Sequence, residues 1–177
     1  MSSERETQIL DYAEREMRKG GLDSVSFRDI AGAIGIKSAS VHYHFPTKAD
    51  LAERVTRRYA DRFIDALGAP NTPSEPPRDR LTRLIDAYAS AFAFEGSTCL
   101  CTVLGSVATY VPVGTSEEIR KFYERLGEWI EIALEGDERP LTPQIVISTL
   151  QGALALAVAT ENDKPLRDAR DHLLGTT

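Results

Sequence analysis

Apolar residues recur at intervals of three and four along nearly the whole chain, the spacing of one buried face of an α-helix. In 4–19, Ile9, Leu10, Ala13 and Met17 fall on one side with charges between them, and Gly20-Gly21 ends the run. Ser26-Phe27-Arg28-Asp29 is a capping pattern that starts a short helix ending at Ala33 or Ile34, with Gly35 as the turn. Lys37-Ser38 opens a third, from Ser38 to about His44, and Pro46 stops it because the residue before a proline is pushed out of helical geometry. Thr47-Lys48-Ala49-Asp50 is a second capping box and begins a longer helix to Leu67, with Leu51, Val55, Tyr59, Phe63 and Leu67 along one side.

The stretch 68–77 holds four prolines in ten residues and reads as an extended linker or exposed loop. Beyond it, helical spacing returns over about 78–95, 98–109, 116–135, 143–160 and 164–174, with Thr142-Pro143 as a cap followed by proline at the first helical position. A strand over 101–113, rich in β-branched residues, is the weaker reading of that segment. The expectation is an all-α chain of about nine helices. It divides into a three-helix domain at 1–46, a connecting helix at 47–67, the linker or loop at 68–77, and a second helical domain at 78–177.

Composition changes this picture in two respects. A chain of 177 residues with 42% hydrophobic content can bury a substantial core, and its net charge of -6 argues against a general nucleic-acid coat. The charge is unevenly placed. Residues 1–67 carry 11 basic and 11 acidic side chains, whereas 68–177 carry 10 and 16. Within 25–60, Arg28, Lys37, Lys48, Arg54, Arg57 and Arg58 outnumber Asp29, Asp50 and Glu53. If the chain meets phosphate, it does so there. Two cysteines make no disulfide framework, the N-terminus lacks the apolar run of a signal peptide, and no run of about 18 uninterrupted apolar residues offers a membrane span. A cytoplasmic protein that does not enter a membrane is expected.

Two short helices about a glycine turn, within some twenty residues, form the arrangement that delivers the start of the second helix to the DNA major groove. Ser38, Ser40, His42, Tyr43 and His44 crowd polar groups onto that helix, leaving Ala39, Val41 and Phe45 to pack inward. Lys37 and Lys48 flank it, and Ser26 and Thr47 cap helices whose amide ends could hold phosphate. The stretch from Val25 through Gly35, Tyr43 and Pro46 to Leu51 resembles the TetR family of transcriptional regulators. The resemblance covers roughly residues 5–60. It implies a homodimeric, all-helical repressor whose C-terminal domain binds a small molecule and so releases a double-stranded DNA operator. It further implies that Tyr43 touches the DNA backbone, that Lys48 contacts phosphate at the start of the fourth helix, and that Arg28, Lys37, Ser38, Ser40, His42 and His44 face DNA. His42 stands where tyrosine is common in that family.

His42 and His44 are not a metal pair, since positions i and i+2 on a helix point about 200° apart, and no ligand set accompanies them; no metal or cofactor is expected. Cys99 and Cys101 admit two readings. Both can be small buried apolar residues, the commoner fate of an unbridged cysteine, or Cys99 in the first turn of a helix can be a sensor thiol for oxidants or electrophiles, with Cys101 beside it. Aromatics gather in the second part at Tyr88, Phe92, Phe94, Tyr110, Phe122, Tyr123 and Trp129, and Phe92, Cys101, Leu104, Phe122 and Trp129 are candidate walls of a pocket for a small organic effector. The helix through 151–160 is apolar on nearly every side. With the last helix it should form a two-fold four-helix interface through Leu150, Ala153, Leu154, Ala157, Leu166, Ala169 and Leu173. A thiol enzyme is disfavoured, with no base in a persuasive relation to either cysteine and no Gly-rich phosphate loop, so no catalytic residue is assigned. A helical protein-interaction module remains the competing class.

Overall fold

The computed structural model describes residues 4–72, 74–107 and 110–176, and among these the regular structure is entirely helical. The helices are α1 (Glu4–Gly20), α2 (Phe27–Ile34), α3 (Ser38–His44), α4 (Lys48–Leu67), α5 (Pro77–Glu95), α6 (Leu100–Gly105), α7 (Val113–Ala133), α8 (Pro143–Thr160) and α9 (Lys164–Leu174), with a 3-10 turn at Leu22–Ser24. Most boundaries fall where capping and periodicity place them. The sixth helix does not: it runs Leu100–Gly105, shorter than the 98–109 that spacing predicts. The Ser106 hydroxyl donates to Val103 O and the Val107 N–H turns back to Leu104 O at 3.2 Å, which closes the helix with a tighter turn. Ala108 and Thr109 lie outside the described residues, as does the side chain of Phe94. The next helix starts at Val113, before the expected Ser116, with Ser116 N–H bonded to Pro112 O at 3.0 Å.

The chain packs as two compact units: Met1–Arg62 with Leu100–Phe122, and Phe63–Cys99 with Tyr123–Thr177. In the first, α1 lays Ile9, Leu10, Ala13 and Met17 against α2 and α6, and all four are buried. Val41 and Phe45 carry α3 onto the same core, joined by Leu51, Val55 and Tyr59 of α4 and by Leu104, Ile119 and Phe122. Full burial of a Leu, Ile or Phe side chain is worth about 1.5–3 kcal/mol against exposure, so this shared core fixes the pose of the short helices α2 and α3.

In the second unit, α8 and α9 pack on each other and both pack on α5. Val146, Leu150, Leu154 and Ala157 of α8 and Leu166 and Leu173 of α9 are buried, and Gln151 Nε2 donates to the Tyr88 hydroxyl at 2.9 Å inside that core. By length and composition α8 is apolar enough to cross a membrane. It is not an uninterrupted apolar run, since Gln144, Ser148, Thr149 and Gln151 break it. The carbonyls at the end of α9 are met by arginines: Arg78 Nη1 donates to Leu174 O at 3.1 Å and Arg139 Nη1 to Leu173 O, cations at the negative end of the helix dipole. The proline-rich segment after α4 is held in place. Arg83 donates to Leu67 O at 2.5 Å and to Ala69 O at 2.8 Å, and the Trp129 indole N–H donates to Gly68 O at 2.8 Å.

Candidate nucleic-acid interface

Backbone geometry at Gly35 makes the helix-turn-helix. Gly35 adopts φ 70°, ψ 36°, left-handed values that an L side chain resists by roughly 1–2 kcal/mol, and Ile36 N–H reaches back to Ala31 O at 3.0 Å. The chain leaves α2 in that turn and enters α3 three residues later, at Ser38. Phe45, extended at φ -132°, ψ 98° ahead of Pro46, terminates α3, and its N–H bonds Val41 O at 2.9 Å.

Both flanking caps close as boxes. The Ser26 hydroxyl accepts from Asp29 N–H at 3.1 Å and donates to the Asp29 carboxylate at 2.5 Å. Thr47 Oγ1 accepts from Asp50 N–H at 3.1 Å, while Thr47 N–H and Oγ1 donate to Asp50 Oδ2 at 2.9 and 2.8 Å. Ser26 and Thr47 therefore bond to their own helices, and a carboxylate already occupies the amide end of each.

On α3, burial separates two faces. Val41 and Phe45 are buried, whereas Ser38, Ala39, Ser40, His42 and Tyr43 are exposed and His44 is half-buried. The expectation that Ala39 packs inward is corrected: 39 and 41 lie about 200° apart on a helix and cannot share the core face. Tyr43 is 85% exposed, an aromatic that the chain's own core does not use. The His42 ring meets Phe27 of α2 edge-on, with centroids 4.6 Å apart, so one side of this imidazole is set by the protein.

The basic surplus is redistributed by ion pairing. Along α4, Arg54 meets Glu6 at 3.5 Å, Arg58 meets Asp11, and Arg62 meets Glu14 at 2.5 Å, a ladder from one face of α4 to α1. Arg57 holds Glu53 at 2.6 Å and Glu118 of α7 at 3.1 Å, with Lys121 on the same Glu118 oxygen at 2.9 Å. Burial pushes the Glu118 carboxyl up, but the hydrogen bonds from Arg57 and Lys121 outweigh it and hold the group below its ordinary value. Lys48 lies 3.8 Å from Asp23, a loose surface pair. Arg28 and Lys37 are exposed and make no ion pair among the described residues. The signal that separates paired from unpaired cations is present in the sequence as the spacing 54, 58, 62 opposite the acids of the first helix.

Away from this face, the predicted effector residues do not share one unit. Cys101, Leu104 and Phe122 are fully buried in the first. Phe92 belongs to the second and lines an open cleft of about 550 Å³ with Ile85, Ala89, Leu166 and Arg170. Trp129 is buried in that unit too, where its indole holds the loop and Arg83 stacks 5.6 Å from the ring centroid. Cys99 and Cys101 are both buried, and Cys99 stands just before α6 instead of in its first turn. Leu150, Ala153, Leu154, Ala157, Leu166, Ala169 and Leu173 are likewise buried within the single chain, holding α8 and α9 together from inside. The outer side of α8 carries Ile145, Ser148, Gly152, Ala155, Leu156 and Ala159. Among the described residues no group of three or more His, Cys, Asp or Glu side chains could hold a metal ion.

The family described as "Bacterial regulatory proteins, tetR family" matches residues 9–55, from α1 into α4. A solved TetR transcriptional regulator from Legionella pneumophila superposes with a TM-score of 0.89 at 30% identity, covering 99% of this chain and 97% of that one. The chain belongs to the TetR family. As a TetR-family protein it is a DNA-binding transcriptional regulator, and α2 and α3 are its helix-turn-helix. Among curated relatives, the HTH-type transcriptional repressor KstR2 of Rhodococcus jostii is 37% identical over 59 residues, 33% of this chain and 29% of that protein. The HTH-type transcriptional regulator BetI of Rhizobium meliloti is 27% identical over 121 residues, 68% of this chain and 58% of BetI. The chain thus matches less than two thirds of either relative's length.

Proposed function

We propose that this TetR-family regulator is a homodimeric repressor that binds a palindromic DNA operator through α3 and leaves it when a small organic molecule binds. The observation that carries the reading is the exposed face of α3. Tyr43 projects into solvent beside Lys37, which like Arg28 makes no ion pair among the described residues, while the arginines of α4 are bound to acids. Phosphate contacts from such groups position a protein on the duplex, and Ser38, Ser40, His42 and His44 lie where base edges pass in the groove. Lys48 exchanges its loose bond with Asp23 for phosphate, and Ser26 and Thr47 hold their helices in register.

Two copies present two recognition helices about 34–36 Å apart, one turn of B-DNA. The self-contact is the outer stripe of α8, Ile145, Ser148, Gly152, Ala155, Leu156 and Ala159, whose spacing and small side chains allow close helix approach. The effector takes the cleft beside Phe92, whose volume lies in the range of small-molecule sites. Coupling of roughly 1–3 kcal/mol between that site and DNA would change operator affinity about 5- to 150-fold. Selection of genomic fragments by the full-length protein tests the reading: a palindrome recovered by the wild type and bound more weakly by Tyr43→Ala supports it, and no enriched sequence refutes it.

A further inference from the structure

A second concavity, of about 380 Å³, opens on the first unit between the start of α1 and α3, lined by Arg5, Ile36, Lys37, Ala39, Ser40, Tyr43 and His44. Its floor is apolar, from Ile36 and Ala39, and its rim is polar. Arg5 is the residue that neither motif nor periodicity singled out; in the helical pattern of α1 it is one more solvated charge. In space it stands across the concavity from the recognition helix. Its guanidinium donates to Gln8 Oε1 at 3.0 Å and makes no ion pair among the described residues, unlike Arg54, Arg57, Arg58 and Arg62. Lys37 and the Tyr43 hydroxyl are likewise uncommitted among the described residues.

We infer that this concavity seats one sugar-phosphate segment of the DNA backbone, with deoxyribose on Ile36 and Ala39, phosphate between Arg5 and Lys37, and the Tyr43 hydroxyl donating to the same phosphate. The chemistry selects this occupant. Two cations and a hydroxyl around an apolar floor match an anion carried on a nonpolar ring, and a guanidinium supplies paired donors to phosphate oxygens. The arrangement explains why Ala39 is turned outward: a small apolar side chain there leaves room for the sugar. The inference rests on the DNA-binding reading above and adds Arg5 to it as a sequence-independent contact.

The test is the salt dependence of binding by the full-length protein to two duplexes, the fragment recovered by selection and an unrelated sequence of equal length. Each phosphate contact contributes about 0.9 to the slope of log affinity against log salt. Arg5→Ala should lower the slope by about that amount per bound protomer, about five-fold in affinity at roughly 0.15 M salt, equally on both duplexes. Arg5→Lys should restore most of the slope, and unchanged circular dichroism should show that both variants fold. A wild type that binds while Arg5→Ala keeps the full slope overturns the seat alone. A loss confined to the selected fragment also overturns it, since that makes Arg5 a base contact. A wild type that binds neither duplex overturns the DNA reading, and the seat with it.

Discussion

The clamp between α4 and α7 makes the sharpest energetic prediction. Glu118 is buried on α7, with its side chain 8% exposed, and both Arg57 and Lys121 donate to its Oε1. Hydrogen bonds to a charged group contribute about 1.5–3 kcal/mol where water is excluded. Here Arg57 and Lys121 remain 41% and 50% exposed, so each rehydrates when the bond is lost and each contribution drops toward the surface range of about 0.2–1 kcal/mol. Glu118→Gln keeps the volume and one acceptor oxygen, removes the charge and turns the second oxygen into an NH2 donor. It should cost about 1–2 kcal/mol, which in a chain of this size is about 2–8 °C in melting temperature. The pH dependence follows from the sign of the shift. The folded carboxyl titrates below its ordinary value of 4.5, so its contribution is complete above that value and lost as pH falls through the folded one. Urea unfolding of wild type and variant should show the full gap at pH 7 and a shrinking gap below about pH 4.5. A double-mutant cycle with Arg57→Met should give a coupling above about 0.5 kcal/mol. Additive mutations, or a gap unchanged at pH 3.5, would refute the reasoning.

Three further outcomes are expected. Thr47→Ala removes the acceptor for Asp50 N–H and a donor to its carboxylate, and should destabilise α4 by about 1 kcal/mol, read as a lower urea midpoint. Leu156→Glu places charge on the outer stripe of α8, where Leu156 is 58% exposed; sedimentation should give a folded monomer, and an intact dimer would remove that stripe as the self-contact. Ala157→Glu, one residue on, buries an unpaired carboxylate against the core and should lower the urea midpoint steeply instead; a stable fold there would contradict the inward assignment of α8.

The helices were legible because their signals are local. Ser26 with Asp29, Thr47 with Asp50, Gly35, and Pro143 after Thr142 each act within four residues, and each cap or turn forms as its residues dictate. What escaped depends on which side of a helix meets which neighbour. Periodicity marks an apolar face on α8 without saying whether α5 and α9 of the same chain or another chain covers it; in the fold Leu150, Leu154 and Ala157 turn inward and are buried within the single chain. The same limit hid the pairing of Arg54, Arg58 and Arg62 with α1, partners more than forty residues distant in the chain. The composition that makes Trp129 a candidate pocket wall says nothing of its indole N–H, which needs an acceptor and finds Gly68 O. Arg5 carried no local signal at all, since its significance comes from standing opposite α3.

The central claim is that the exposed face of α3 reads DNA sequence, and the specificity ratio tests it most directly. Equilibrium affinities of the full-length protein for its selected fragment and for unrelated DNA, at about 0.15 M salt, should differ by at least roughly 10³-fold. Tyr43→Ala should weaken binding to both duplexes by a similar factor, as loss of a backbone contact does. Affinities for the two DNAs within about ten-fold of each other would contradict the account.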